Sequence, residues 1–407
     1  MTKSPRPEGR RACGLRCARG LRRAIGLRRG FTLKESIAVV VIIIIVMAIA
    51  FPVILNFRER ARRMDCEANL RKIGQAIAQY STTDSSGSLP IGSRYDANGR
   101  GSSTSWWLEI LPRIDGEHQK YRWVNHINSG DFNHGNEVNA NMTFADGFRL
   151  PIFYCASSPL PQFNDPFQHI SEVNRREIKG KQLTGIAVPM YTAIAGSAPD
   201  FQKYDPKSGL DKPAGRNTLD GPWGILSGSG VFPPNRRLRQ AAITDQKDKT
   251  IMIAEQSDYA RDDTLDPPAK FDVRSSWPRG AFMGTTGNYN NLSTTAENLD
   301  GDGGERCWNI SSVRYPLNMR DVKQKRGIFT DPEPPRAGAD GVVPATPPYP
   351  GEGYGPGHNN PLISAHADGV NVLMFDGSVK FLNDKMSLPI LLMMSTRDDN
   401  QNVPEVE

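Results

Sequence analysis

Arg29-Gly30-Phe31-Thr32-Leu33-Lys34-Glu35, running straight into the uncharged residues 36–57, is the stretch on which the reading of this chain turns. At about 1.5 Å of rise per residue, residues 36–57 span roughly 33 Å as a helix, enough to cross a hydrocarbon core of about 30 Å. No other stretch of the chain is comparable. Upstream lie Lys3, Arg6, Arg10, Arg11, Arg16, Arg19, Arg22, Arg23, Arg28 and Arg29 against the single acid Glu8. These outnumber Arg58, Arg60, Arg62 and Arg63 on the far side. Positive charge is retained in the cytoplasm, so residues 1–30 are expected there and the bulk of the chain outside, in a single-pass inner-membrane arrangement. With +9 in residues 1–30, the rest of the chain carries −3 of the overall +6, which excludes a nucleic-acid surface. Gly (38) and Pro (31) are too abundant for an all-helical bundle and call for many loops.

A carboxylate at the mouth of an aliphatic helix is costly in lipid and usually marks function. A basic leader ending in Gly30, then Phe31, then Glu35 at the fifth position after the glycine, with Pro52 further along the span, resembles a type IV prepilin-like N-terminus. The resemblance implies cleavage after Gly30 by a prepilin peptidase and N-methylation of Phe31. It also implies pairing of Glu35 with the amine of a neighbouring pilin-like subunit, and extraction of the subunit into a pilus-like fibre. Lys34 departs from the usual apolar residue and competes for Glu35. Two other readings of the segment stand beside this one. Arg28-Arg29-Gly30-Phe31-Thr32-Leu33-Lys34 also looks like a twin-arginine export motif, with Ala48-Ile49-Ala50 as its cleavage site, and the span also reads as an uncleaved anchor.

Beyond the span, Cys66, Leu70, Ile73, Ile77 and Tyr80 recur at helical spacing with Glu67, Arg71, Lys72, Gln75 and Gln79 between them. This predicts one helix from about 31 to 81, membrane-embedded over 31–57 and amphipathic over 58–83, kinked by Pro52 and weakened at Gly74. Residues 84–105 read as a polar linker and 106–407 as one large outer domain. Strands are expected around Met142–Ala145, Ile152–Tyr154 and Thr250–Ala254, whereas residues 331–361, with nine Pro and six Gly, read as irregular. The clearest hairpin is residues 370–382, with Asp376-Gly377 as a two-residue turn. In that register Met374 faces Val379 and Val372 faces Phe381, forming one apolar face. The expected fold class is α+β and pilin-like: a long N-terminal helix, then an outer domain on an antiparallel sheet.

Nine residues separate His366 from Asp376-Gly377, giving a His-x9-Asp-Gly motif. With the prepilin-like start, residues 62–74 around Cys66, Phe153-Tyr154-Cys155, and Ile243-Thr244-Asp245 with residues 250–255 ending in Glu255, the chain resembles the DUF1559 (SBP_bac_10) proteins. Their biochemical role is undefined. In this chain Gln246 follows Asp245, where the family more often has Gly. The resemblance implies a pseudopilin-like, non-enzymatic subunit of a type II secretion or type IV pilus-like assembly. The alternative is a membrane-stalked solute- or glycan-binding module, with Trp106, Trp107, Trp123 and Trp223 as platforms.

Cys13 and Cys17 lie in the leader and lack partner ligands. Cys66, Cys155 and Cys307 allow one disulfide, and spacing alone leaves three pairings open. The family-like segments favour Cys66 with Cys155. Asn298, Asp300 and Asp302, with Gly303, match the first ligand positions of a calcium loop, but position 12 is Asn309 rather than Glu. Calcium is thus the one cofactor suggested, and a solvated acidic turn is the competing reading. The six histidines show no zinc spacing, and no nucleophile or phosphate-loop motif is present. His366, Asp376 and Gly377 are read as structural, His366 entering a strand and Asp376-Gly377 turning it.

Overall fold

The computed structural model describes residues 32–84, 86–95, 102–114, 145, 147–164, 185–198, 217, 224–262, 269–277, 280–285, 307–321, 357–400 and 403–404. Helix α1 (Leu33–Thr83) carries both the apolar run and the amphipathic stripe. Its start is a reciprocal capping box: the Thr32 N–H donates to Glu35 Oε2 at 2.8 Å, and the Glu35 N–H donates to Thr32 Oγ1 at 3.4 Å. The chain divides into two compact units, residues 1–56 and 57–407.

In the first unit every large apolar side chain from Leu33 to Leu55 that is described is exposed, including Leu33 (78%) and Ile49 (67%). By length and composition this is a helix apolar enough to cross a membrane.

The second unit is a mixed α+β domain. After α1 come β1 (Ser93–Tyr95) and β2 (Ser102–Ser105), paired antiparallel, and α2 (Trp106–Ile114). Residues 84–105 are therefore no bare linker, since Leu89 and Ser93 are buried in the domain. Next are β3 (Phe163–Asn164), β4 (Ile186–Ala187), β5 (Tyr191–Ser197), β6 (Ile251–Glu255), β7 (Ala260–Asp262), β8 (Ala269–Phe271), β9 (Ile310–Val313), β10 (Gly369–Met374), β11 (Val379–Asn383) and α3 (Leu388–Met394). The main sheet has the order β11-β10-β6-β5-β9. Its neighbours pair antiparallel except β9, which runs parallel to β5, so the sheet is mixed rather than purely antiparallel.

The sheet is covered on both faces. Leu70, Ile73 and Ile77 of α1 share one apolar cluster with Ala193, Ile253 and Leu373, while Leu391 and Leu392 of α3 share another with Ile251, Val370, Val372 and Leu382. Gly74 lies on the first face, where an added Cβ would stand 3.0 Å from Leu373 Cδ1. The helix thus gives up propensity at Gly74 and gains close approach to β10.

Two local expectations differ from the structure. Residues 151–153 form a 3-10 turn rather than a strand, with Pro151 presetting its first φ. The β10–β11 hairpin closes through three residues instead of two: Met374 N–H donates to Ser378 O, Gly377 N–H donates to Met374 O, and Gly377 takes φ +89°. The register therefore slips by one, pairing Val372 with Lys380 and Asn371 with Phe381. A slip of one residue turns a strand over. Leu382 accordingly enters the core at 2% exposure, while Phe381 is half-buried under the Arg63 guanidinium, 3.5 Å from its ring centroid.

Candidate functional site

The stripe of α1 places Cys66 inward, and Glu59, seven residues earlier, falls on the same face two turns back. The 3-10 turn at 151–153 delivers Cys155, and Asn69 of α1 holds this segment by donating to Tyr154 O at 3.0 Å. Strand β6 ends in Glu255, and the loop entering β10 supplies His366, which donates its N–H to Ser364 Oγ at 3.1 Å.

These four separately folded parts meet. One ligand atom each of Cys66, Cys155, Glu255 and His366 lie within 4.8 Å of one another, and all four residues are buried. The two sulphurs are 2.6 Å apart and both thiols are unbridged. His366 Nε2 is 3.4 Å from Cys155 Sγ and 3.7 Å from Glu255 Oε1, while its Nδ1 is 2.6 Å from Glu59 Oε1. Glu255 accepts from Ser257 Oγ at 2.5 Å and from Asn371 Nδ2 at 3.0 Å. Glu59 accepts from Ser157 Oγ at 3.1 Å.

The electrostatics follow from this crowding. Burial disfavours the charged imidazole of His366, but a hydrogen bond with Cys66 and the carboxylates of Glu255 and Glu59 outweigh it and push its pKa up to about 9. The hydrogen bond between the two thiols lowers Cys66 to about 6 and holds Cys155 well above its ordinary value.

His366 is thus no simple strand-entry residue: it is 2% exposed and bonded to α1. Asp376 sits beyond the far end of β10, about 20 Å of strand away, where it caps Ser378 by accepting from its N–H and Oγ. The two ends of the His-x9-Asp-Gly motif therefore form no dyad. Cys307 lies elsewhere in the core, its N–H donating to His358 Nε2 at 3.2 Å. Trp106 and Trp107 are buried, stacked on each other with ring centroids 4.0 Å apart, and offer no platform to a ligand. Gly30, Phe31, Asn298, Asp300, Asp302, Trp123 and Trp223 lie outside the described residues.

Sequence reasoning missed two members. Glu59 hides in the arginine-rich Arg58-Glu59-Arg60 and reads as a solvated charge. Glu255 ends the apolar run Thr250–Ala254, and a carboxylate closing a buried strand is the signal that could have found it.

A long apolar-headed helix and a mixed-sheet domain holding a buried thiol–imidazole–carboxylate cluster define the class of the molecule. The chain belongs to the family SBP_bac_10, described as a protein of unknown function (DUF1559), whose family model matches residues 56–388. Cys66, Cys155, Glu255 and His366 all fall inside that match. No curated protein and no solved structure matches the chain.

Proposed function

We propose that this chain is a pseudopilin-like, non-enzymatic subunit of a type II secretion or type IV pilus-like envelope assembly. It is held once in the inner membrane, with its leader in the cytoplasm and its outer domain on the other side. The observation that carries this reading is the exposure of the first half of α1. Side chains such as Ile37 (55%), Ile42 (60%), Phe51 (65%) and Phe57 (63%) are exposed among the described residues. Lipid covers such a surface before assembly, and neighbouring helices cover it within a fibre.

Glu35 stands at the head of that surface. Within one chain its carboxylate is satisfied by Thr32, through the backbone N–H at 2.8 Å and the hydroxyl at 3.0 Å. When helices pack and exclude water, hydrogen bonds alone leave its charge unbalanced, and the methylated amine of a neighbour's Phe31 supplies the opposite sign. The partners are then a prepilin peptidase, sibling pilin-like subunits and inner-membrane lipid. Glu35→Gln keeps the apolar span and one acceptor for the cap but removes the charge. Crosslinking in intact cells should show the multimer ladder lost while the membrane fraction is unchanged. An identical ladder in Glu35→Gln contradicts the role.

A further inference from the structure

The Cys66–Cys155–Glu255–His366 cluster is independent of any filament role, and its chemistry points elsewhere. Four donors of three kinds converge, each nine-tenths or more buried: two sulphurs, an imidazole nitrogen and a carboxylate oxygen. We propose that Cys66, Cys155, Glu255 and His366 form a closed, four-coordinate site for a divalent cation of the zinc type.

Three observations support this. The first is the donor set, since thiolate, imidazole and carboxylate together suit zinc, and four protein ligands with no open position make a structural site. The second is the outer layer. His366 presents Nε2 to the cluster and binds the Glu59 carboxylate through Nδ1 at 2.6 Å. This is the carboxylate–histidine arrangement that fixes the tautomer and orientation of a metal-bound imidazole. Glu255 is oriented in the same manner by Ser257 and Asn371. The third is spacing. Around a tetrahedral ion with metal–sulphur bonds of about 2.3 Å and metal–nitrogen bonds of about 2.0 Å, sulphur–nitrogen edges are about 3.5 Å and nitrogen–oxygen edges about 3.4 Å. The corresponding separations are 3.4 Å from His366 Nε2 to Cys155 Sγ and 3.7 Å to Glu255 Oε1. The two sulphurs, at 2.6 Å, must part to about 3.8 Å when the ion binds.

A disulfide at the same place would tie only α1 to residues 151–155 and leave the fully buried Glu255 without a cation. The ion displaces the two thiol protons to solvent, its two positive charges offset the two thiolates, and it holds the Glu255 carboxylate as a direct ligand. It thereby joins all four segments: the helix, the turn before Cys155, the end of β6 and the entrance to β10.

The test uses the full chain in detergent, isolated from envelopes without added reductant, and measures bound metal by elemental analysis. One zinc per chain is expected. Replacing it with Co²⁺ should produce thiolate-to-cobalt charge-transfer absorption and the intense visible bands of a tetrahedral centre. Cys155→Ser and His366→Ala should lose the ion, and Cys307→Ser should keep it. Because the first two can also disturb folding, Glu59→Gln gives a separate readout: a folded protein whose zinc affinity is about 10–100-fold weaker. Absence of stoichiometric zinc, a cobalt spectrum without thiolate bands, or recovery of Cys66 and Cys155 in one disulfide-linked peptide would each overturn the proposal.

Discussion

The two halves of α1 are the same helix under opposite conditions. From Ile37 to Phe57 the described large side chains are exposed, whereas Cys66, Leu70, Ile73 and Ile77 are at most 2% exposed. Helix propensity does not separate them, because the first half is rich in β-branched Val and Ile and is still helical. What differs is the source of the partner surface. The second half has polar residues on its outer face and meets the sheet with its stripe, so its partner is in its own chain. The first half is apolar all round, and by length and composition it is a helix apolar enough to cross a membrane.

That contrast is broken or sharpened most strongly by paired truncations. Leu70→Ala removes a fully buried side chain and should destabilise the outer domain by about 2–5 kcal/mol. Ile45→Ala, on the same helix, should change it by less than about 0.5 kcal/mol. Denaturant melts of the full chain in detergent measure both, and equal effects would abolish the distinction. A second pair tests close packing. Gly74→Val drives a branched side chain into Leu373 and should cost about 1–3 kcal/mol, while Ala48→Val in the exposed half should be silent in the same melts.

The smallest effect expected is a pH signature confined to the packed unit. Burial raises the Asp245 carboxyl from its ordinary 3.8 to about 6, against the N–H groups of Asn400 and Asp399 that favour its charged form. A raised carboxyl means that the folded state holds the proton more tightly. The stability from Asp245 is therefore fully present below about pH 4 and is lost as pH rises through about 6. Asp245→Asn should flatten this part of the stability profile, as followed by urea melts between pH 4 and 7. An unchanged slope would remove Asp245 as its source.

The legibility of the sequence follows the same physical divide. Helix α1 was readable because residues 36–57 carry no charge and residues 66–80 keep a strict helical stripe. Strand β6 was readable as a short aliphatic run. The hairpin was visible in residues 370–382 but not its register, since Asp376-Gly377 serves a two-residue or a three-residue loop equally well and only tertiary packing chose Leu382 over Phe381 for the core. Strand β5, Tyr191–Ser197, escaped notice because Ala193, Ala195 and Gly196 leave no alternation in a strand buried along nearly its whole length. At the cluster, Cys66, Cys155 and His366 each stood out in a family-like segment. Their convergence did not, because it depends on long-range pairing of α1, β6 and β10, which no local pattern encodes. Glu35 is legible as a charge beside a candidate membrane span, yet Thr32-Leu33-Lys34-Glu35 also spells a capping box, and the capping box is the contact that the structure contains.

The most direct test of the envelope-subunit account is the covalent state of the N-terminus in cells with an active prepilin peptidase, read by intact mass and N-terminal peptide sequencing. The account predicts a chain beginning at Phe31 and carrying one added methyl group on its amine. A chain beginning after Ala50, or one retaining Met1 and the whole leader, would contradict it.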